Sequence, residues 1–439
     1  MPKPVPKLWS NWAGNQQCAP SSWERPASEA DLVALVKESA AQDRRVKVVG
    51  AGHSFTGIAC TDGALVDLAD YGRVLDTDPA TGRVTVQAGI SLQRLCVELD
   101  RHGLALDNMG DIAYQSIAGA TSTATHGTGA QHGGLATRIV GLRLVTADGS
   151  VLECNEQENA DVLDVARVGL GALGILSTVT IAAVPAFRLH AIEEAMPVDD
   201  VLADFEGFMT STDHVEFYWV PHTRWALTKR NTRTQDGARP RRRTQELMDD
   251  LIAPNLLFGL LCRVGRRFPR AIPRLAKALP SASSTVDYID RSDKVFTSPR
   301  HVRFYEMEYA IPAEAVPEAL NRVRTLVDRI GVPISFPVEV RVTAPDDIPL
   351  STAHGRRTGY IAVHVYQGTK AYDQYFTGVE AIMDSYGGRP HWGKLHYQSA
   401  ATLAGRYPRW DEFQAMRRRL DPEGRFANPY LDRVLGPSG

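Results

Sequence analysis

Apolar residues follow two different periodicities along the chain, and each periodicity predicts a different kind of element. Apolar residues at helical spacing in residues 28–43 predict a helix that is capped by Ser28 and Asp31. The segment SLQRLCVELDRHG at 91–103 predicts a second amphipathic helix. Continuous or alternating apolar residues, as in RVKVVG at 45–50, predict short strands between the helices. The pattern therefore indicates small α and β units in alternation.

This alternation continues to about Phe187 and then gives way to longer strands. Before that point, GLRLVTADGSVLEC predicts a hairpin with Asp148-Gly149 at its turn. After it, the predicted strands are RFYEMEYAIP, ISFPVEVRVTA and YIAVHVYQG, with a helix over 314–331 between the first two. Residues 410–436 predict a helix that is closed by the turn LDPEG. The apolar segment Leu251–Cys262 predicts a packed helix, with a peripheral membrane contact as the alternative.

Length and composition limit the classes of protein that fit. A chain of 439 residues exceeds one compact core, so we expect two domains. A net charge of −2 gives no overall attraction to nucleic acid or to an anionic membrane, so neither is an expected partner. The cluster of Lys and Arg at 229–243 is predicted to be a solvated loop, with a nucleic-acid patch as the alternative.

Cysteine content and hydropathy predict the compartment. The five cysteines are scattered and lack paired C-x-x-C spacing, which predicts free thiols in a reducing compartment and no metal site. No apolar run reaches the ~18 residues that a membrane helix needs. The sequence therefore predicts a cytoplasmic protein without stable membrane insertion.

Two glycine-rich stretches, Arg44–Cys60 and Asp107–Ala130, each follow a predicted strand. Both are crowded with small residues, so their backbone N–H groups can approach an anion closely. Two such loops on neighbouring strands would bind a pyrophosphate without any lysine. Neither stretch fits G-x-x-x-x-G-K-[ST], and GAGHSF departs from G-x-G-x-x-G because Phe55 occupies the third glycine position. A different dinucleotide-binding fold is therefore expected.

The motifs together resemble those of the vanillyl-alcohol-oxidase-type flavoproteins. VVGAGHSF followed by SIAGATSTATHGTG carries this resemblance. NWAGN near the start, EVR at 339–341 and PHWGK at 390–394 narrow it to the aldonolactone oxidoreductases and alditol oxidases. The resemblance implies an α+β, two-domain fold. In it, residues 1–188 and 395–439 form the FAD-binding domain, and residues 189–394 form a cap domain with an antiparallel sheet.

The resemblance also implies FAD as the cofactor, bound covalently to the flavin C8-methyl group through His53. The alternative is that His53 only hydrogen-bonds within its loop. Gly110 is expected to act as an oxygen gate, because it lacks the methyl group of the alanine found in plant-type dehydrogenases. The residues expected to bind FAD are Val49, Gly50, Ala51, Gly52, His53, Ser54, Phe55, Gly110, Asp111, Ser116, Gly119, Thr123, Thr125, His126, Gly174, Ile175 and His391.

A second group of residues is predicted on the strands of the cap. Glu339 and Arg341 are two apart on a strand, so both face one side, and His364 and Tyr366 have the same spacing on the next strand. Cross-strand ion pairs are the alternative to a site. The resemblance implies that Glu339, Arg341 and Lys394 bind the substrate over the flavin, and His364 or Lys394 is the candidate base.

Two of these positions bear on the substrate. Polyol-oxidising relatives have serine at the position of Asp111 and threonine at the position of Tyr366, so the site here is bulkier and more acidic. These two differences favour a cyclic lactone over a linear polyol.

The predicted reaction is FAD-dependent oxidation of a sugar 1,4-lactone, L-gulono-1,4-lactone or a similar aldonolactone, to ascorbate or an analogue. It would proceed by hydride transfer to flavin N5 and reoxidation by oxygen or another acceptor, such as a cytochrome or a dye. The alternative enzyme is an alditol oxidase that acts on linear polyols. From another class, a non-catalytic flavin carrier or sensor is the remaining alternative.

Overall fold

A computed structural model describes residues 8–241, 267–268, 271–273, 276, 285–298, 302–332, 334–369 and 372–438. The helix predicted over Leu251–Cys262 lies outside these residues. Within them, no helix combines the length and the apolar character needed to cross a bilayer.

The first part of the chain alternates short strands with helices, as predicted. Its elements are β1 Trp9–Ser10, β2 Gln17–Cys18, β3 Ser22–Glu24, α1 Glu29–Ala41, β4 Val46–Val49, β5 Ala64–Asp67, β6 Val74–Asp78, β7 Arg83–Gln87, α2 Leu92–Arg101, β8 Leu104–Ala105, α3 Ile117–Ser122, β9 Ile139–Val145, β10 Val151–Asn155, α4 Ala160–Ala166, β11 Ile175–Ala182 and β12 Val184–Pro185. Strands β3, β5 and β4 form a parallel sheet, and β10, β9, β11, β7 and β6 form an antiparallel one.

The second part of the chain is dominated by one antiparallel sheet with the strand order β16-β13-β15-β14-β18-β19-β17-β20. Its strands and the remaining helices are β13 Arg188–Pro197, α5 Val198–Ala203, α6 Phe205–Met209, β14 His214–Trp219, β15 Trp225–Thr234, β16 Val286–Arg291, α7 Ser292–Phe296, β17 Phe304–Pro312, α8 Val316–Ile330, β18 Val338–Thr343, β19 Thr358–Tyr366, α9 Tyr372–Asp384, β20 Arg389–Pro390, α10 Ala400–Leu403, α11 Trp410–Leu420 and α12 Pro429–Leu435. The predicted antiparallel sheet and the α+β class are confirmed.

Local sequence signals account for the positions of several of these elements. Helix α1 begins at a capping box, in which the Ser28 hydroxyl accepts from the Asp31 backbone N–H and the Asp31 carboxylate accepts from the Ser28 N–H. Strands β9 and β10 form the predicted hairpin, and Gly149 at its turn has a φ of +78°. Strand β4 lies within the first glycine-rich stretch and ends at Val49, directly before its glycines.

Two hydrophobic cores divide the molecule. The first packs α1 and α2 against the sheets of the first part and includes Phe413 and Leu431 from the end of the chain. The second lies between the large sheet and helices α8 and α9, where Val323, Val340 and Phe376 are buried. Segments from within residues 189–394 also enter the first core, including Trp392. We retain the division into 1–188 with 395–439 and 189–394 as a proposal.

Three local predictions differ from the structure. The second glycine-rich stretch is not a loop throughout, because α3 occupies its centre. The tail holds a second helix, α12, which begins at the capping side chain of Asn428. The basic cluster at 229–243 is only partly a solvated loop: β15 runs to Thr234, whereas residues 235–240 are exposed and lie outside the named strands.

The described basic residues of this cluster bind carboxylates. The pairs are Lys229 with Glu216, Arg230 with Glu194, Arg233 with Asp107, Arg239 with Asp287 and Arg241 with Glu193. These charges are therefore paired within the protein, mostly with residues on neighbouring strands.

Candidate active site

The two glycine-rich stretches meet along one wall of a cleft. The glycines of the first stretch begin at the end of β4, and the second stretch carries α3, whose cap is Ser116. A Cβ atom on Gly50 would overlap the Ser116 hydroxyl, so the close approach of the stretches requires glycine at position 50. Bare backbone therefore lines much of this wall.

Most of the residues predicted to bind the cofactor line this cleft, namely Val49, Gly50, Ala51, Gly52, His53, Ser54, Ser116, Gly119, Thr123 and Gly174. Lys47 also lines it, which differs from the expected binding loop without lysine. Its amino group donates to the carbonyl oxygens of Gly171 and Phe426, at 3.0 Å each, and burial lowers its pKa to about 7. This lysine therefore joins β4 to two distant segments.

The other residues predicted to bind the cofactor do not line the cleft, and their roles stay predictions: Phe55, Gly110, Asp111, Thr125, His126, Ile175 and His391. Phe55 packs with Phe304 and Phe336, and Ile175 is buried in the first core. The Thr125 hydroxyl oxygen is buried and has no hydrogen-bond partner among the described residues. It is thus a polar group that a ligand would satisfy.

A segment that we call the N-terminal strap, Trp9–Cys18, holds the first glycine-rich stretch from outside. Its Asn11 and Asn15 side chains donate to the carbonyl oxygens of Ser54 and Phe55, at 2.9 Å each. The Trp12 backbone N–H donates to the Gly52 carbonyl at 2.8 Å. These bonds give a physical reason for the occurrence of NWAGN together with GHSF.

His53 lies between aromatic rings at the rim of the cleft. Its ring centroid is 5.5 Å from that of Trp12 and 6.3 Å from that of Tyr114. Burial, together with the nearby charge of Lys394, lowers the pKa of His53 to about 4. The imidazole is therefore neutral at pH 7, which leaves a ring nitrogen able to act as a nucleophile.

Glu339 and Arg341 lie on one face of β18, as the spacing predicts, and contact each other. The Arg341 guanidinium also contacts Asp111 from the second glycine-rich stretch and Glu216 from β14, the latter at 2.9 Å. Burial alone would lower the pKa of Arg341, but these three carboxylates raise it well above its usual value. One buried cation is thus surrounded by three anions.

Lys394 lies beside the same face and binds Glu306 of β17. Glu306 also contacts Nε2 of His364 at 3.3 Å, while Nδ1 of His364 lies 3.2 Å from the Pro337 carbonyl oxygen. Burial alone would lower the pKa of Lys394, but the carboxylates of Glu306 and Glu308 raise it. Lys394 therefore stays a cation at neutral pH.

A third buried cluster joins the glycine-rich stretch to the sheet. Nε2 of His126 lies 3.0 Å from a carboxylate oxygen of Glu308, and the His126 ring stacks on Tyr360 with 3.5 Å between centroids. His391 accepts from the Gly393 backbone N–H at 3.0 Å, and burial lowers its pKa to about 3. Burial alone would raise the pKa of Glu308, but His126, His391 and Lys394 lower it to about 2.

We call the surface formed by β14, β18, β19 and β17 around these clusters the polar face. Sequence reasoning missed Glu216, Tyr218, Glu306 and Glu308, all of which lie on it. The available signal was an acidic residue at every second position within FYEMEY, which is unusual for a strand that is buried on both sides. Tyr366 lies at its edge and packs against the aromatic cluster of Phe304 and Phe336.

The residues present fit FAD. The cleft is lined by glycine backbone and by the hydroxyls of Ser116 and Thr123, and the buried Thr125 hydroxyl has no hydrogen-bond partner among the described residues. Backbone N–H groups and hydroxyls of this kind can bind the diphosphate of a dinucleotide. The polar face adjoins it, because the Phe55 backbone N–H donates to the Gly393 carbonyl at 2.7 Å, directly beside Lys394. Cofactor and substrate groups therefore have adjacent places.

Two known families match separate parts of this chain. Residues 179–434 match the D-arabinono-1,4-lactone oxidase family, and residues 20–155 match an FAD-binding domain. The L-gulono-1,4-lactone dehydrogenase of Mycobacterium tuberculosis is 50% identical over 430 residues, which cover 98% of this chain and 99% of that protein. The L-gulonolactone oxidase of Mus musculus is 35% identical and covers 97% of this chain and 98% of its own. The alditol oxidase of a Streptomyces species is 32% identical, with the same coverage.

Solved structures show the same fold. A solvent-stable cholesterol oxidase superposes with a TM-score of 0.84 at 20% sequence identity, covering 98% of this chain and 97% of that one. A cholesterol oxidase from Brevibacterium sterolicum gives 0.82 at 19% identity, over 100% of this chain and 99% of that one. The chain has the vanillyl-alcohol-oxidase-type fold, matches both family models and contains a cleft that fits FAD. It therefore belongs to the D-arabinono-1,4-lactone oxidase family of FAD-dependent oxidoreductases.

Proposed function

We propose that the protein oxidises an aldono-1,4-lactone, with L-gulono-1,4-lactone or a close analogue as substrate, to ascorbate or an analogue. The observation that carries this proposal is the polar face, where Arg341 and Lys394 lie buried among carboxylates beside the cofactor cleft. The names of the relatives that match over nearly the whole chain support the same substrate class. A flavin carrier would need no buried charges of this kind.

The reaction removes two electrons and two protons from a hydroxyl-bearing carbon, and FAD, when bound, supplies the electron acceptor. Arg341 and Lys394 provide positive charge where the hydroxyl oxygen loses its proton, which stabilises the developing alkoxide. Glu339 and Asp111 contact Arg341 and orient it, and the Glu339 oxygens accept hydrogen bonds from substrate hydroxyls.

The candidate bases differ in their surroundings. The raised pKa of Lys394 favours a role as a fixed cation over a role as a proton acceptor. Both ring nitrogens of His364 face acceptors, the Pro337 carbonyl and the Glu306 carboxylate. We therefore assign His364 to the positioning of Glu306 and Lys394, and Tyr366 to the aromatic edge of the site.

The rival substrate class is a linear polyol, which the match to an alditol oxidase favours. Asp111 decides against it, because its carboxylate is already committed to Arg341 and to the Tyr218 hydroxyl at 3.3 Å. This arrangement fills the position of the serine in polyol-oxidising relatives with a larger, acidic group. A compact ring is therefore the better fit.

We also propose that His53 bonds covalently to FAD. Its position in the cleft wall and its lowered pKa support this, since a neutral imidazole is the nucleophilic form. Acid-precipitated protein should stay yellow and yield a flavin-bearing peptide that contains His53. His53→Ala should fold and release all flavin into the supernatant. Complete release from the wild type would contradict the covalent bond.

The remaining parts of the proposal are the electron acceptor and the place of action. Oxygen, a cytochrome-type acceptor or a dye reoxidises the flavin and completes the catalytic cycle. The scattered cysteines favour a reducing, cytoplasmic compartment. The local ion pairs of the basic cluster support a function without nucleic acid.

An anaerobic bleaching screen tests the substrate. L-gulono-1,4-lactone and related aldonolactones should bleach the flavin absorbance, whereas xylitol and sorbitol should not. Bleaching by the polyols alone would establish the alditol oxidase. A bound flavin that no sugar bleaches would support the carrier or sensor.

A further inference from the structure

Cys18 and Cys60 lie far apart in the sequence but meet at the end of the N-terminal strap. Their side chains interact electrostatically, and both residues are half-buried free thiols. Both pack on the same small cluster, formed by Trp9, Val49 and Leu65. The fold therefore places the two thiols close to one another.

Each thiol belongs to a segment that holds the cofactor cleft. Cys18 ends the strap, and its backbone pairs with that of Trp9 across β1 and β2. Cys60 ends the first glycine-rich stretch, and its carbonyl oxygen accepts from the Asn428 side chain at 2.8 Å. A bond between the two would close the strap around the loop that carries His53.

We propose that Cys18 and Cys60 form a reversible disulfide when the protein meets a hydroperoxide. In the first step one sulfur attacks the peroxide, the O–O bond breaks, and a sulfenic acid and one molecule of water form. In the second step the other sulfur attacks the sulfenic sulfur, the S–S bond forms, and a second molecule of water leaves. Two electrons pass from the thiol pair to hydrogen peroxide, which is reduced to water.

Burial, together with the neighbouring Cys18, raises the pKa of Cys60, so Cys60 keeps its proton at neutral pH. Either sulfur can be the one that the peroxide oxidises, and the other then attacks the sulfenic acid. A reducing thiol such as dithiothreitol reverses the bond by exchange.

The bond should change the strap and leave the polar face untouched. In the reduced protein the strap is held by side-chain amides, among them Asn11 and Asn15. A disulfide adds a covalent closure and restricts the unfolded chain, which stabilises the folded state. This proposal does not depend on the identity of the substrate.

Peptide mapping tests it on the purified holoenzyme, treated with hydrogen peroxide and then alkylated after denaturation. Trypsin cuts after Lys47 and Arg73, so one peptide carries both Cys60 and His53, and another carries Cys18. These two should appear as a linked pair that is two hydrogen atoms lighter than their sum. The number of titratable thiols should fall from five by two, and the Tm should rise until dithiothreitol is added.

Cys18→Ser should abolish both the link and the rise in Tm, whereas Cys154→Ala, a change in the buried thiol on β10, should retain both. Recovery of Cys18 and Cys60 from the oxidised wild type as alkylated thiols, or as separate sulfinic acids, would overturn the proposal. This mapping of the wild type decides the matter even if a variant does not fold.

Discussion

The cofactor cleft and the polar face adjoin each other but are built on opposite principles. The cleft is made of small residues and backbone, and its Lys47 is held by carbonyl oxygens. The polar face is made of long charged side chains that bind one another at buried positions. A backbone-lined wall tolerates little added volume, whereas a network of buried charges tolerates little change in charge. Substitutions should therefore damage the two regions by different physical effects.

The largest effect is expected from Arg341→Ala, which leaves three carboxylates without their cation. Breaking a buried ion pair costs about 3–5 kcal/mol of folding free energy, and loss of a charge at the transition state slows the reaction ~100-fold or more. The rate of flavin reduction by L-gulono-1,4-lactone and the Tm should both fall.

Two other substitutions control for this result. Arg341→Lys keeps the positive charge but loses the planar guanidinium group. It should therefore recover more of the folding stability than of the rate of flavin reduction. Arg324→Ala removes a partly exposed ion pair with Asp199 elsewhere on the cap and should change neither quantity by much. A normal rate of flavin reduction in Arg341→Ala would show that the polar face has only a structural role.

The next largest effect is expected in the cleft, from Gly50→Ala. The new methyl group would overlap Ser116, and overpacking of this kind costs about 1–3 kcal/mol, or roughly 5- to 150-fold in FAD affinity. FAD titration in a His53→Ala background would measure it. Gly405→Ala, where a Cβ atom would meet nothing within 4 Å, should have no effect. Unchanged affinity in Gly50→Ala would refute the close approach.

Acid should destabilise the protein through its buried histidines. The pKa values of His391 and His396, at about 3, lie well below their usual 6.5 because both side chains are buried. The unfolded chain binds these protons below 6.5 while the folded protein does not, so stability present above pH 6.5 declines as the pH falls towards 3. Thermal unfolding between pH 4 and 8 would show this decline. His396→Gln should lessen it; an identical profile would exclude His396 as a contributor.

The smallest effect is expected from Gly110→Ala. A Cβ atom there would lie 3.1 Å from the His126 carbonyl oxygen and 3.4 Å from a methyl carbon of Thr125, so the fold accepts it after a slight shift. Stopped-flow mixing with oxygen should show a few-fold slower reoxidation, while a dye acceptor reacts as before. If Gly110→Ala slows reoxidation equally with both acceptors, Gly110 does not act as an oxygen gate. The same conclusion follows if the reduced wild type reacts with the dye but not with oxygen.

Sequence reasoning succeeded where the relevant partners are local. The capping box of Ser28 and the common face of Glu339 and Arg341 both follow from spacing within one element. The polar face required knowledge of strand order, because Glu306 meets Lys394 and His364 only once β17 pairs with β19. Spacing along the chain contains no information on such pairing.

The cysteines illustrate the same limit. The described thiols are free, as expected. Although the cysteines are scattered along the sequence, the fold brings Cys18 close to Cys60. Lys47 was missed for a related reason. It stands in an otherwise apolar strand, and its role depends on carbonyl groups from Gly171 and Phe426.

The polar face also has a consequence for substrate handling. In its described part, five carboxylates face three permanent cations, Arg341, Lys394 and Lys229. An aldonolactone is neutral, whereas the open-chain aldonate formed by its hydrolysis is an anion that this excess of negative charge repels. The ring-opened acid should therefore stay out of the site. Ageing a lactone stock in alkali would lower the amount of substrate without creating a competitive inhibitor.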